Sequence, residues 1–529
     1  MGEEPSAEDF IEVYSESAAE LGGENVTTPS RIVAEPPFIC GCGNWARKAC
    51  TGEGFYKEHE GKPYCVLHYP GKEKADDFEK AFKRKITAED FNFHGVWFPD
   101  SIKLSGIDFK ADVDFVSAIF NEYTDFSSAK FSRYADFSEA NFKASADFRS
   151  TIFDETADFR SATFSAYAAF SSALFKSSAD FRSTAFNAPA YFGDARFIAT
   201  GDFLFANFTS YVDFSDAKFT ARADFRSAVF SERADFRTTE FCAFAYFDET
   251  TFSNKPDFSE AIFNAKASFC KTTFHLQASF SETTFNANVD FSEASFQDEV
   301  RFSGKKSFAD KSSLDLHFIR SERPERILFH TVTLRPHWFV NLDSRKFVFT
   351  DVIWEWDIIS IEGEIESLKG KKISSPHPLL AIACRQLAEN AEANNRYEEA
   401  SRFRYWAMDL ARQYKWQGKA FWKTDWLHML YWAVSGYGER ILRAFAWVLA
   451  IWIVFALLYT KVGFTKPDAG DEPLPFKRAF TYSLAVMSLQ KPEPRPQTNT
   501  AQTLVLLETI LGPVQAALLA LAIRRKFMR

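Results

Sequence analysis

Four cysteines and a histidine near the start of the chain are the residue types best suited to holding a metal ion. Cys40, Cys42, Cys50 and Cys65 fall within 26 residues, and His68 follows three beyond the last, in the spacing C-x-C-x7-C-x14-C-x2-H. Thiolate and imidazole donors favour tetrahedral structural zinc, and a reducing compartment favours metal binding over disulfides. Five donors for four positions leave one over, and Cys40 is the weakest of the five. Reduced cysteines without a metal are the competing reading. His59 reads as a surface residue, while Cys242, Cys270 and Cys384 lie far along the chain and are expected to stand apart from this cluster.

A second chemical signal sits near the other end. Residues 503–523 are apolar except for Glu508, Thr509 and Gln515, and the run ends in RRKFMR. An ionisable group inside such a run is costly unless it faces water or a partner. Glu508, Gly512 and Gln515 recur at i, i+4 and i+7 on one helix face, which makes them candidate pore-lining residues between subunits. The alternative is that Glu508 lies close enough to the outer interface to reach headgroup water. Gly512-Pro513 predicts a bend.

Phenylalanine dominates what lies between. Phe115, Phe126, Phe137, Phe148 and Phe159 begin an eleven-residue series that runs to Phe302, and a second series from Phe120 to Phe296 follows it by five residues. Two positions before most of these stands a small residue, as with Ala135 before Phe137 and Ala140 before Phe142. Residues two apart on an extended chain share a side. Each short unit therefore sends one small and one large apolar side chain inward and needs neighbours to bury them, which specifies a solenoid. An eleven-residue period also suits a helical supercoil, but spacings of five and six do not follow one helical face, and Phe and Thr favour strands.

With stretches such as ADFSEANFKAS and ADFRSTIFDET, residues 89–356 resemble the pentapeptide-repeat family. That resemblance implies a mainly β fold, a right-handed parallel quadrilateral β-helix. The extra residue in every second unit implies coils of about 22 residues instead of 20 and a rod about 50 Å long. Some members of that family mimic DNA and inhibit type II topoisomerases. From 111 to 300, 28 Asp and Glu face 16 Lys and Arg, but Arg149, Arg160, Arg182, Arg226 and Arg237 interrupt the acidic surface in DFR triplets, a pattern usual for a solvated face. Nucleic-acid binding is therefore not expected, and no phosphate loop or acid–base motif marks an enzyme. The cysteine segment, closing in GKPYCVLH, resembles a small treble-clef or LIM-like zinc module.

The C-terminal quarter changes the class of the protein. AFAWVLAIWIVFALLY from Ala444 to Tyr459, extended by Ile441 and Leu442, is long enough to span a bilayer. Arg440 and Arg443 before it, and Arg524, Arg525, Lys526 and Arg529 after the second run, place both outer ends in the cytoplasm. No apolar leader-like segment occurs in residues 1–36, so the repeats and both termini are expected on the cytoplasmic side of an inner (plasma) membrane. Between the spans, FKRAFTYSLAVMSLQ predicts a short helix that KPEPRPQ ends. This plan resembles the two-helix pore module of the potassium-channel superfamily, found in some bacterial pentapeptide-repeat membrane proteins, and implies a homo-oligomer such as a tetramer. SLQKPEPRP replaces the T-V-G-Y-G filter, so potassium selectivity is not implied.

The expected organisation is a disordered acidic segment 1–36, a zinc-binding-like module 37–72, a capping helix 73–88, the β-helix 89–356, a helical connector with an interfacial segment 357–440, and a channel-like hairpin 441–529 with spans about 441–460 and 503–523. The connector reads as a helical hairpin turning at Asn394-Asn395, followed by an interfacial stretch with Trp416, Trp422, Trp426 and Trp432. Three functions fit: a weakly selective pore coupled to the rod, a membrane-anchored scaffold for a cytoplasmic protein partner, and a topoisomerase inhibitor.

Overall fold

The computed structural model describes residues 38–43, 47–50, 52–309, 312–355, 361–370, 372–416, 426–462, 464 and 474–527. Segment 1–36, Trp422, and the side chains of Trp416, Trp426, Arg525, Lys526 and Arg529 lie outside the described residues.

The repeats form a parallel β-solenoid. Each coil contributes two-residue strands to four faces, and Ala135 pairs with Ala157 and Phe142 with Phe164, a shift of 22 residues per coil. In chain order the faces begin at Trp97–Phe98, Ile102–Lys103, Asp108–Phe109 and Val113–Asp114, and their sheets hold 11, 12, 9 and 10 strands. The inward pairing of small and large side chains holds: Ala135, Phe137, Ala140 and Phe142 are all fully buried.

The eleven-residue Phe series resolves into two columns on opposite faces. Phe115, Phe137 and Phe159 stack in one, the last two with centroids 4.8 Å apart and planes 3° from parallel. Phe126 and Phe148 stack in the other, 4.9 Å apart. Across the core the columns meet edge to face, as Phe137 does with Phe148 at 5.5 Å and 90°. Both geometries suit the ring quadrupole and each pair contributes about 0.5–1.5 kcal/mol beyond burial.

Two local devices turn the corners. Where an Asp precedes an eleven-series Phe, as in most coils, it accepts the amide two residues on, as Asp136 does from Ser138 at 2.9 Å and Asp125 from Ser127 at 2.9 Å, an Asx-type turn. The second residue after the Phe adopts left-handed backbone, with φ 59° at Glu139 and 56° at Ser161. In one coil Phe205 occupies this place at φ 59° while 58% exposed. A bulky side chain there carries the steric cost of left-handed backbone without a packing return. Phe205→Gly is expected to raise stability by about 0.5–1 kcal/mol, read as a higher melting temperature.

The ends of the stack are covered. Helix α1 (Ala75–Thr87) lies over the first coil, with Phe78 5.4 Å from Phe98 and Phe82 5.3 Å from Phe93. At the other end helices α2 (Ile361–Gly370), α3 (Pro376–Ala393) and α4 (Tyr397–Trp416) close the last coil. Trp354 meets Phe403 edge to face at 4.9 Å. The Asn390 amide shares its two N–H donors among the carbonyls of Ser344, Arg345 and Phe347 at 3.1, 3.0 and 2.7 Å, and the buried Glu364 carboxylate accepts from both the amide and ring of His337 at 2.9 and 2.8 Å. Asn390→Ala leaves those carbonyls unmet, at a cost of about 1–3 kcal/mol. Faster proteolysis between α3 and the last coil is the expected readout.

Beyond the connector come helices α5 (Trp426–Ser435), α6 (Ile441–Tyr459), α7 (Phe476–Met487) and α8 (Asn499–Phe527). α8 continues as helix through Pro513.

Candidate metal centre and apolar helical module

The cysteine cluster is assembled by a hairpin and two turns. Strands β1 (Lys57–His59) and β2 (Lys62–Tyr64) pair antiparallel, and β2 delivers Cys65 and His68 to the turn bearing Cys40 and Cys42. A Cβ at Gly41 would come within 2.9 Å of the Lys62 Cβ, so the glycine between the two cysteines lets that turn close on the hairpin. The ligand atoms of Cys40, Cys42, Cys50 and His68 all lie within 4.8 Å of one another. Cys65 Sγ adjoins the same cluster, 3.6 Å from Cys50 Sγ and 3.2 Å from His68 Nδ1. Cys40, expected to be the weakest of the five, is therefore a full member of the cluster.

The donor set fits a tetrahedral ion. Zinc–sulfur bonds of about 2.3 Å and zinc–nitrogen bonds of about 2.0 Å put neighbouring donors about 3.5–3.8 Å apart. The Cys42–Cys50 sulfurs are 3.6 Å apart, and Cys50 Sγ lies 3.2 Å from His68 Nδ1. His68 Nε2 meets the His94 carbonyl at 2.9 Å. Such a bond fixes the tautomer that leaves Nδ1 free to ligate, and it is the usual outer support of a metal-bound histidine. His94 belongs to the first coil, where its Nδ1 lies 3.2 Å from Asp114. The cluster is thereby tied to the solenoid, an arrangement that nothing in the local sequence around His94 signals.

Lys74 reinforces the joint. Fully buried, it donates to the Leu67 carbonyl at 2.7 Å and lies over the rings of Phe78 and Trp97. Burial pushes its ammonium down to about 6, with Cys65 and Cys40 pulling the other way. The remaining cysteines lie elsewhere: Cys242 points at Glu240, and burial raises the thiols of both Cys242 and Cys384.

On the shaft, the DFR arginines fold back on their own aspartates. Arg149, Arg160, Arg182, Arg226 and Arg237 donate through Nε to Asp147, Asp158, Asp180, Asp224 and Asp235 at 2.8–2.9 Å. Five of the shaft's carboxylates are thus neutralised locally and serve the turns.

The C-terminal module contains two helices long and apolar enough to cross a membrane, Ile441–Tyr459 and Asn499–Arg524, each only 17% buried. Leu442, Ile453, Val454, Leu506, Ile510 and Val514 are exposed along them. A core helix of a soluble domain would be covered.

The stripe Glu508, Gly512 and Gln515 faces the other way. Glu508 is fully buried and accepts hydrogen bonds from Tyr459 on α6, at 2.6 Å, and from Ser483 on α7. Met487 occupies the space beside Gly512. Gln515, 2% exposed, donates to the carbonyls of Val434 and Ala444 at 3.1 and 2.9 Å. The expectation that this face lines a passage between subunits is corrected: its polar groups are consumed within one chain, holding α8 to α5, α6 and α7.

The connector grips the same corner. Trp432 on α5 lies between Arg412 of α4, 4.3 Å from its ring centroid, and Arg443 of α6, at 5.2 Å. Arg440 stacks on Tyr405 at 4.6 Å, and Ser401 donates to Glu439 at 2.5 Å. The turn Gly436-Tyr437-Gly438 has three successive positive φ angles, 56°, 60° and 73°, which two glycines make feasible.

Residues 126–174 match a family model described as pentapeptide repeats (9 copies). No curated protein and no solved structure matches the chain.

Proposed function

We propose that this pentapeptide-repeat solenoid with two apolar C-terminal helices is a non-enzymatic integral membrane protein, whose rod is coupled to an oligomeric, weakly selective ion pore. α6 and α8 span the inner membrane with the basic ends Arg440, Arg443 and Arg524 in the cytoplasm, beside the rod. The observation that carries this is α7, a short helix held between both apolar helices by Ser483 and Glu508. A plain anchor has no use for such a helix, whereas a pore needs an element that interrupts the lipid-facing wall. The cysteine cluster holds one structural zinc that clamps the start of the rod.

Purified protein reconstituted in liposomes is expected to release trapped potassium chloride. Tight liposomes with verified insertion would favour the second reading, a membrane-anchored scaffold. That reading draws support from Tyr167, Tyr191 and Tyr211, aligned along one corner of the shaft with centroids 5.2 and 5.9 Å apart, a surface suited to a protein partner. Topoisomerase inhibition by DNA mimicry receives no such support, because arginines interrupt the acidic surface and pair with five of its aspartates.

A further inference from the structure

Between its two apolar helices the chain makes a feature that hydrocarbon does not tolerate on an isolated copy. The C-terminal end of α7 reaches the middle of both helices: Ser483 Oγ lies 3.1 Å from the Trp452 carbonyl, and Met487 packs at Gly512. Gly512 is thirteen residues beyond Asn499, about 20 Å along the helix axis. From Ser488 the chain returns without helix or strand. By Gln497 its amide meets the carbonyl of Phe464, which lies past the end of α6, at 3.0 Å.

Along this return Pro492, Pro494 and Pro496 are half-buried, while Lys491, Glu493, Arg495 and Gln497 between them are exposed. The prolines remove every second N–H donor, which suits a depth where water is scarce. The three charges make no hydrogen bond or ion pair with the described residues. Irregular backbone and bare charge at membrane depth occur only against protein or water.

We propose that the returning segments of several copies of this chain meet around water, so that Lys491, Glu493 and Arg495 line a passage that favours small anions. Each copy contributes two cations and one anion there, and exposed Lys477 and Arg478 add two cations at the outer end of α7. From Thr460 to Thr498 the chain carries six Lys and Arg against four Asp and Glu. Basic residues at the end opposite Arg440, Arg443 and Arg524 run against the usual bias of membrane proteins, and rings of such residues concentrate anions. The inference rests on the pore reading and names its permeant ion; it departs from the cation selectivity of the channels this module resembles.

Full-length protein in planar bilayers under a potassium chloride gradient should reverse on the chloride side, and Lys491→Glu with Arg495→Glu should move the reversal to the potassium side. As a second readout, the Arg495→Cys variant should react from the loop side with an impermeant thiol reagent, faster when the reagent is anionic. Reversal on the potassium side in the unaltered protein, or one unmoved by charge reversal, overturns the anion passage and leaves a pore. Inserted protein with no current and an unreactive Arg495→Cys variant overturns both.

Discussion

Stripping the metal, by chelation or by His68→Ala, is expected to unfold the segment from Cys40 to Tyr69 and loosen the first coil. Among the described residues there, few apolar side chains other than the cysteines are buried, chiefly Ala49, Val66, Leu67 and Tyr69, too few to hold a segment of this size by burial alone. Structural zinc supplies on the order of 10–16 kcal/mol to small modules of this kind. The loss should propagate through two bonds, His68 to the His94 carbonyl and the Trp97 amide to the Leu67 carbonyl at 3.1 Å. Hydrogen exchange should show the amides of Phe93 and Trp97 losing protection while those near Phe203, in mid-shaft, keep theirs. Metal analysis should find about one zinc per chain before treatment. Full protection of the segment in metal-free protein would instead identify the cluster as ordinary reduced cysteines.

Replacing Glu508 by Leu is expected to be the most damaging single change in the C-terminal module. It strands the hydroxyl of Tyr459 in an apolar setting, at about 1–3 kcal/mol, and leaves Ser483 only the Trp452 carbonyl. Glu508→Gln keeps an acceptor and should lose less. Adding Tyr459→Phe and Ser483→Ala to Glu508→Leu removes the stranded groups as well, and this triple variant should recover much of the loss, because an apolar replacement of a whole polar cluster is often tolerated. Melting of the detergent-solubilised proteins ranks the four. Equal melting of Glu508→Leu and the unaltered chain would mean that the carboxylate does not hold the helices together.

The shaft was legible because its signal is redundant: thirty-five Phe residues in two series repeat one spacing, and a 22-residue coil follows from the alternation of five and six. The devices that turn its corners were not. The left-handed position is filled in most coils by Ser, Asp, Glu or Thr and only rarely by glycine, as at Gly95 and Gly106 in the first coil, and the Asp before most eleven-series Phe residues reads equally well as surface charge. The connector hairpin was visible in its apolar stripes, but its docking through Asn390 and Glu364 depends on contacts between distant segments. Glu508, Gly512 and Gln515 share one face of α8, and that spacing is the same whether the face lines a passage or packs on neighbouring helices. Only Tyr459, Ser483 and Met487 on the facing elements decide it. The place of Cys40 in the cluster depends on Gly41, whose missing side chain brings the two cysteines into one turn against the hairpin.

If the rod acts on a pore through the connector, the stack of Arg412, Trp432 and Arg443 is one of the contacts that carries the coupling. Single-channel recording in planar bilayers, comparing the full-length chain with its Trp432→Ala variant, tests this most directly. Discrete current steps are expected in both, with the same unit conductance and a different open fraction once this contact is lost. Silent bilayers despite verified insertion, or an open fraction indifferent to the loss of Trp432, would contradict it.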